Sequence, residues 1–259
     1  MTGLNEVSSR FTKLAQEIGV AEESSLRFNA RLLAVHEIAS QYYCEKKVEL
    51  KRIHGEEETP ETKLGKEAHE LLLKDTVAVR REELWREIAS GKPVGVREMR
   101  LLGRHKNIIV AGVADAITFF KASPVLLCEH KFSSKPIPFR DHHVQARLYC
   151  YLLNLMGFDT SNLRYALVLA PPESREDDKL REISLCILQN PQDKFKVKLQ
   201  TGVANVYLNN FKMNEAIAEL DWAIGFWTKQ RSAIPTRMVR KCLACRFREG
   251  CESSLARRA

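Results

Sequence analysis

The 259-residue sequence has no run of apolar residues that approaches the length of a membrane span. Its first twenty residues mix charges with short apolar steps and lack the apolar centre of a signal peptide. An internal repeat, a low-complexity tract, a long linker and the G-x-x-x-x-G-K-[ST] phosphate loop are also missing. We therefore expect a cytoplasmic protein built as one elaborated domain or as a domain with a smaller appendage, with no membrane partner and no ATP-driven activity of its own.

The charge balance of the chain is basic. Lys and Arg total 41 against 33 Asp and Glu, which gives a formal net charge of +8, and the sequence pI is about 9.1. Such an excess favours polyanionic partners such as nucleic acids. The seven cysteines are an odd number, and in a cytoplasmic protein they argue against a disulfide framework.

The apolar pattern predicts an α/β fold in which a mixed sheet carries a helix on each face, flanked by a helical section from both chain ends. The predicted helices span residues 25–43, 61–90, 141–157 and 191–231, the last with Gly202 as a break. The predicted strands span residues 94–102, 107–120, 124–131, 163–172 and 181–189.

The third predicted strand, PVLLCEHK, ends in two charged residues. Glu129 and Lys131 point to one face of the strand, and His130 points to the other. A short turn joins this strand to the preceding one as an antiparallel hairpin, which places Asp115 opposite or diagonal to Glu129. Two carboxylates about 5 Å apart can share a divalent cation, and a neighbouring ammonium would stabilise charge on a phosphate. The alternative is a plain ion pair at a strand end.

Three further polar side chains lie on predicted helices. His69 has helical spacing to Leu72 and Leu73, so it is either a hydrogen-bonded core histidine or a nitrogen ligand for the same metal. Gln145 and Tyr149 are four residues apart and share a helix face. They either form hydrogen bonds at the edge of the core or position a phosphate or a base.

The C-terminal segment contains a tight cysteine cluster. Cys242, Cys245 and Cys251 follow the pattern C-x2-C-x5-C, so their thiolates can reach one centre. Cys44 is the candidate fourth ligand, and four thiolates can hold either zinc or an iron-sulfur cluster. The remaining cysteines occur in apolar segments and are interpreted as small apolar fillers: Cys128, Cys150 and Cys186.

Together these motifs resemble the fourth CRISPR-associated (Cas) protein family, which consists of RecB-like nucleases of the PD-(D/E)xK class with a four-cysteine iron-sulfur cluster. The resemblance is carried, in chain order, by YCEKK at residues 43–47, His69, GVADAI, CEHK, QARLY and the three C-terminal cysteines. Eukaryotic exonuclease V and the nuclease domain of a eukaryotic nuclease-helicase of DNA replication are similar in the same residues. The Cys-Pro-Arg usual in the family is Cys44-Glu45-Lys46 here.

The resemblance implies a restriction-endonuclease-like core over residues 61–190. The N-terminal helical segment, residues 1–60, would contribute Cys44 and pack with the C-terminal helices and cysteine cluster, residues 191–259. It further implies the following site residues. The [4Fe-4S] ligands are Cys44, Cys242, Cys245 and Cys251. The ligands of Mg²⁺ or Mn²⁺ are His69, Asp115, Glu129 and the backbone carbonyl of His130. The catalytic set is completed by Lys131 and by the QxxxY residues Gln145 and Tyr149.

The activity implied by the resemblance is a single-strand DNA exonuclease, acting 5' to 3', in CRISPR spacer acquisition, an antiviral defence. Its partners would then be single-stranded DNA and CRISPR integrase proteins, and a homo-oligomer is compatible with this role. Two alternatives stay open at this point. One is a DNA-repair nuclease that works with a helicase partner, and the other is a non-catalytic zinc-containing DNA-binding module.

Overall fold

The computed structural model describes residues 2–20, 24–55, 80–133, 135–174 and 177–257. They form an α/β fold in which a mixed seven-stranded sheet is flanked by helices. The strands are β1 (Leu33–Ala34), β2 (Val94–His105), β3 (Ile108–Phe120), β4 (Ser123–Phe132), β5 (Arg164–Ala170), β6 (Lys194–Lys198) and β7 (Val203–Asn210). The α-helices are α1 (Thr2–Val20), α2 (Val35–His54), α3 (Arg81–Ala89), α4 (Arg140–Met156), α5 (Asp178–Arg181), α6 (Ile183–Gln189), α7 (Met213–Trp227) and α8 (Val239–Leu243). Within these described ranges no helix is long and apolar enough to cross a membrane.

The sheet has the strand order β1-β3-β4-β5-β7-β6, and β2 pairs with β3. β2, β3 and β4 are antiparallel neighbours, whereas β4 and β5 run parallel. A parallel pair needs a crossover connection, and α4 provides it because it lies between these two strands in the chain. α4 packs on β4, the strand that carries CEHK, and on β5.

Apolar side chains fill a core on each face of the sheet. The larger core lies under α1, α2, α3, α4 and α7 and includes Ile38, Phe119, Leu152 and Trp227. The smaller core lies on the opposite face, where Leu180, Ile183 and Ile187 of α5 and α6 pack against strand residues such as Leu126 and Val168. The expected arrangement of a mixed sheet with helices on its faces is confirmed.

The central hairpin has the predicted antiparallel pairing. Ala116 pairs with Cys128, and Ile117 pairs with Leu127. The helix predicted over residues 141–157 is present as α4, and it ends at Gly157, whose φ of 106° lies in the left-handed region that favours glycine. The core of the predicted fold is therefore correct around the candidate site.

The strand predicted over residues 181–189 is wrong, because this segment forms α6 after the short helix α5. Ile183, Leu185 and Ile187 alternate as in a strand, but Ile183 and Ile187 also have the four-residue spacing of a helix face. The structure uses the helical option, since both isoleucines are buried and Leu185 is 57% exposed.

The helix predicted over residues 191–231 is also wrong in its first half. Residues 194–198 and 203–210 form the antiparallel pair of β6 and β7, and only α7 is helical. The sequence KFKVK alternates charged and apolar residues, which is the strand period. Gly202 lies in the turn between the two strands, where its carbonyl accepts a hydrogen bond from the Leu199 amide at 3.0 Å.

The helix predicted over residues 25–43 begins later than expected. Residues 27–29 form a 3-10 turn and residues 33–34 form β1, so α2 starts only at Val35. β1 pairs with β3 at Val110 and Ala111. Of the helix predicted over residues 61–90, the structure describes only α3, and His69 lies outside the described residues.

Candidate active site and cysteine pocket

β3 and β4 stop pairing at the position of the two predicted carboxylates. The last paired residues are Ala116 and Cys128, whereas β4 continues beside β5 as far as Phe132. Asp115 and Glu129 are the next residue on each strand beyond that last pair. The structure therefore brings these two acidic residues to the point where neighbouring strands diverge.

The Asp115 side chain, rather than the β3 backbone, accepts a hydrogen bond from β4 at this point. Its Oδ2 atom accepts a hydrogen bond from the His130 amide at 2.7 Å. Its side chain is 18% exposed. Burial raises the pKa of Asp115 to about 6, although the Lys131 charge and the His130 amide act in the opposite direction. A carboxyl group with a raised pKa at this position would be stabilised in its charged form by a bound cation.

The Lys131 side chain extends from β4 to α4. Its Nζ atom donates to Glu129 Oε1 at 2.8 Å and to Gln145 Oε1 at 2.9 Å. Burial lowers the pKa of Lys131, but the negative charges of Glu129 and Asp115 outweigh it, so the net pKa is raised. The side chain is therefore an ammonium that is held beside two carboxylates.

The hydrogen-bond chain continues along α4. Gln145 Nε2 donates to the Tyr149 hydroxyl at 3.1 Å. Burial, together with the negative charges of Glu129 and Asp115, raises the pKa of Tyr149 well above its usual range. Its hydroxyl is therefore neutral, and it holds Gln145 in the orientation in which the amide oxygen faces Lys131.

Gly112 makes room for the tyrosine ring. A Cβ atom at this position would lie 2.4 Å from Tyr149 Cε1 and 3.1 Å from Val35 Cγ2. Sequence reasoning missed this positioning residue. The available signal was a glycine in an apolar strand three residues before an aspartate, which is typical of a close approach to the backbone.

Gly112→Ala is expected to lower the free energy of unfolding by about 1–3 kcal/mol, because the added methyl group overlaps a buried ring. Urea denaturation measures this. Gly95→Ala in β2 is the matched control, since a Cβ atom there meets nothing within 4 Å. Equal stability of the two variants would contradict the close approach of Tyr149 to β3.

The described carboxylates fit a hard divalent cation. Mg²⁺ sites commonly use one or two protein carboxylates and complete the shell with water and substrate phosphate. No group of three or more His, Cys, Asp or Glu side chains placed to hold a metal occurs in the part of the chain that the structure describes. His69, the predicted nitrogen ligand, falls on residues that are not described.

The four predicted cluster cysteines line one small pocket. They are Cys44, Cys242, Cys245 and Cys251, and several cationic side chains line the same pocket: Lys46, Lys47, Lys241 and Arg248. Burial raises the pKa of the Cys245 thiol, and the Lys47 charge acts in the opposite direction, towards the thiolate form that binds metals. Four cysteines are the donor set that a four-thiolate metal centre would need, but their sulfur atoms are not placed to hold a metal in the described structure.

Cys44 enters this pocket because α2 is interrupted at that residue. Its backbone is extended, with φ −172° and ψ 114°. The Thr236 amide lies 3.4 Å from Cys44 Sγ, and the Glu45 amide donates to the Ile234 carbonyl at 3.2 Å. Residues 234 and 236 of the C-terminal segment thus lie alongside α2 at Cys44 and Glu45.

The other three cysteines lie away from this pocket. Cys128 and Cys150 are fully buried, and Cys186 is half-buried. Burial raises the pKa of Cys128 to about 12 and raises that of Cys150 further. Both are therefore neutral thiols that fill apolar space.

Comparison with known proteins gave structural likeness only. No protein-family model matches the chain, and no curated protein matches it. Among the similar chains of solved structures is one described as "Crystal structure of SSO0001", with a TM-score of 0.47 and 16% sequence identity. The similarity covers 98% of this chain and 98% of that chain.

Proposed function

We propose that this protein is a metal-dependent nuclease that hydrolyses phosphodiester bonds in single-stranded DNA. One observation carries the proposal. Asp115 and Glu129 lie where β3 and β4 diverge, and Lys131 is hydrogen-bonded to Glu129 beside them. Two carboxylates with an adjacent ammonium suit metal-assisted attack on a phosphate. The proposed core is of the restriction-endonuclease-like PD-(D/E)xK type.

Asp115 and Glu129 would hold Mg²⁺ or Mn²⁺, with His69 and the His130 carbonyl as proposed additional ligands. The cation, when bound, supplies a water of lowered pKa and neutralises phosphate charge. Asp115 suits this task because it is 18% exposed and so lies at the edge of the site. Glu129, with a side chain only 2% exposed, is fixed by Lys131.

Lys131 acts as a positive charge rather than as a base, because its raised pKa keeps it protonated. Its side chain is 23% exposed, so it can donate to a phosphate oxygen or to the attacking water. Gln145 holds the ammonium from the α4 side, and Tyr149 fixes Gln145. These two are positioning residues, because they act through Lys131.

The four cysteines are proposed to hold a [4Fe-4S] cluster that joins α2 to the C-terminal segment. The pocket that all four line supports this proposal. A cluster there would connect residues about two hundred positions apart in the chain, so it would chiefly stabilise the fold. We propose spacer acquisition with integrase partners as the biological setting, on the strength of the motif resemblance.

The test is incubation of end-labelled single and double strands with Mn²⁺, comparing wild type with Lys131→Ala. We expect wild type to shorten the single strand, and Lys131→Ala to be slower by about 10²- to 10³-fold. Lys92→Ala is the matched control, because Lys92 is exposed. It follows Gly91, whose carbonyl accepts a hydrogen bond from the Lys121 amide in the β3–β4 turn, so it lies near the end of β4 opposite to Lys131. Cleavage that persists in EDTA, or equal rates for wild type and Lys131→Ala, would overturn the proposal.

A further inference from the structure

A cleft of about 440 Å³ lies between the cysteine pocket and the start of α4. Besides the carboxylate of Glu219, its lining includes three aromatic and three cationic side chains: Tyr42, Tyr43, Trp222, Arg140, Arg237 and Lys241. We call it the aromatic cleft. It shares Tyr43, Cys44 and Lys241 with the cysteine pocket, so the two sites have a common wall.

Cations lie against the rings of this cleft. The Arg140 guanidinium lies 4.7 Å from the Tyr42 ring centroid, and the Tyr42 and Trp222 centroids are 4.7 Å apart. Arg231 covers Trp222 at 4.4 Å, and Lys241 lies 4.4 Å from the Tyr43 centroid. Cations placed over rings orient the rings and keep positive charge next to them.

Trp222 is unusual among the three tryptophans of the chain. It is 38% exposed, whereas Trp85 is 8% and Trp227 is 0% exposed. Arg140 and Arg237 beside it are exposed as well. Arg231 and Tyr42 each cover part of the indole. The exposed remainder, with arginines nearby, is suited to an unpaired nucleotide, because a base can stack on the ring while its phosphate binds a cation. The bases of a duplex are already stacked on each other, so binding to the Trp222 ring would add little stacking energy for duplex DNA.

The aromatic cleft lies close to the candidate active site. Arg140 is the first residue of α4, and Gln145, which binds Lys131, is five residues further along the same helix. At 1.5 Å per residue the two are separated by about 7.5 Å along the helix axis. The cleft and the candidate active site therefore lie within two turns of each other along α4.

We propose that the aromatic cleft binds a single-stranded nucleic acid. Bases stack on Trp222, and phosphates bind Arg140, Arg237 and Lys241. The cleft also guides the strand to Lys131, and this second step rests on the proposed nuclease function, whereas the binding itself does not.

The binding test uses full-length protein in EDTA and a fluorescein-labelled oligothymidylate of about 16 nucleotides. Trp222→Ala is expected to weaken binding by about 5- to 100-fold, measured by fluorescence anisotropy, and Trp222→Phe should retain most of the affinity. Unlabelled oligothymidylate should quench the tryptophan emission of wild type, and Trp222→Phe should lose this quenching. Circular dichroism checks that each variant is folded.

Arg237→Glu separates a local contact from general charge attraction. It should weaken binding much more than Lys92→Glu, which changes the net charge by the same amount at an exposed site that does not line the cleft. Wild-type affinity in both Trp222→Ala and Arg237→Glu would overturn the proposal. Equal competition by oligothymidylate, duplex DNA and polyglutamate would also overturn it, because it would indicate non-specific attraction of any polyanion.

The two proposals can fail separately. If wild type cleaves with Mn²⁺ in a Lys131-dependent manner but Trp222→Ala and Arg237→Glu both bind and cleave normally, the cleft proposal fails and the nuclease proposal stands. If Trp222→Ala loses binding but wild type cleaves no strand with Mn²⁺, the nuclease proposal fails and the cleft remains a binding site.

Discussion

Asp115→Asn is expected to abolish metal-dependent cleavage and, in the absence of metal, to make the protein more stable than wild type above about pH 6. Burial is the main cause, because it raises the pKa of Asp115 from 3.8 to about 6. The neighbouring charge of Glu98 raises this pKa as well, while Lys131, the His130 amide and Arg97 lower it. The balance means that the folded, metal-free protein disfavours the charged carboxylate.

The direction of the pH effect follows from proton linkage. Between about pH 4 and pH 6 the folded state keeps the Asp115 proton, whereas the unfolded state has lost it. Stability from this group is therefore present at low pH and is lost as the pH rises through that window, and the shift corresponds to roughly 3 kcal/mol. Asparagine has no proton to lose at this position, and its amide oxygen can still accept the bond from the His130 amide.

Urea unfolding in EDTA at about pH 4 and about pH 7.5 measures the effect. We expect wild type to lose stability between the two values relative to Asp115→Asn, and we expect added Mn²⁺ to stabilise wild type alone. Asp178→Asn is the control, because that side chain is 77% exposed and should change neither stability nor cleavage. An Asp115→Asn variant that still cleaves with Mn²⁺ would remove this residue from the metal site.

The local sequence around CEHK predicts that Asp115 and Glu129 lie near each other, because a short turn joins the two antiparallel strands. The exact register also depends on an irregularity between Thr118 and Phe119, for which the sequence gives no signal. Once Ala116 faces Cys128, the positions of Asp115 and Glu129 follow. α4 is equally predictable, since its apolar residues recur at helical spacing over four turns and a glycine follows its last residue. The site thus depends mainly on contacts between segments that are close in sequence.

The sequence predictions fail in two situations. In one, a segment's apolar pattern fits both a helix and a strand; in the other, the structure depends on contacts with residues far away in the chain. Ile183 and Ile187 fit a strand and a helix equally well, and packing against the opposite core selects the helix. The contact between Gly112 and Tyr149 joins β3 to α4 and cannot be read from either segment alone. Arg231 and Glu45 are 186 residues apart, so their ion pair has no local signal.

Cys44 and Glu45 are adjacent, yet their substitutions are expected to have different effects. Glu45 is fully buried and accepts hydrogen bonds from Arg231, from the Ile234 amide at 2.8 Å and from Gln41 at 2.7 Å. Glu45→Gln removes the charge that Arg231 pairs with. Breaking a buried pair costs about 3–5 kcal/mol, and we expect about 3 kcal/mol because the Arg231 side chain is 25% exposed.

Glu49→Gln on the same helix is the control for Glu45→Gln. The pair of Glu49 with Lys46 is partly exposed, so its loss should cost less than about 1 kcal/mol in urea unfolding. Similar stability of the two variants would show that Glu45 does not hold the C-terminal segment against α2.

Cys44→Ala removes a proposed cluster ligand and leaves the Glu45 ion pair in place. We expect anaerobically purified wild type to be brown from thiolate-bound iron, Glu45→Gln to keep that absorption in its folded fraction, and Cys44→Ala to lose it. A brown Cys44→Ala protein with wild-type iron content would assign the fourth ligand to another residue. A colourless wild type that contains zinc would instead identify the four-thiolate pocket as a zinc site, since the same donor set holds either metal. The absorption of wild type therefore decides the metal, and the comparison of Cys44→Ala with Glu45→Gln separates ligand loss from loss of the fold.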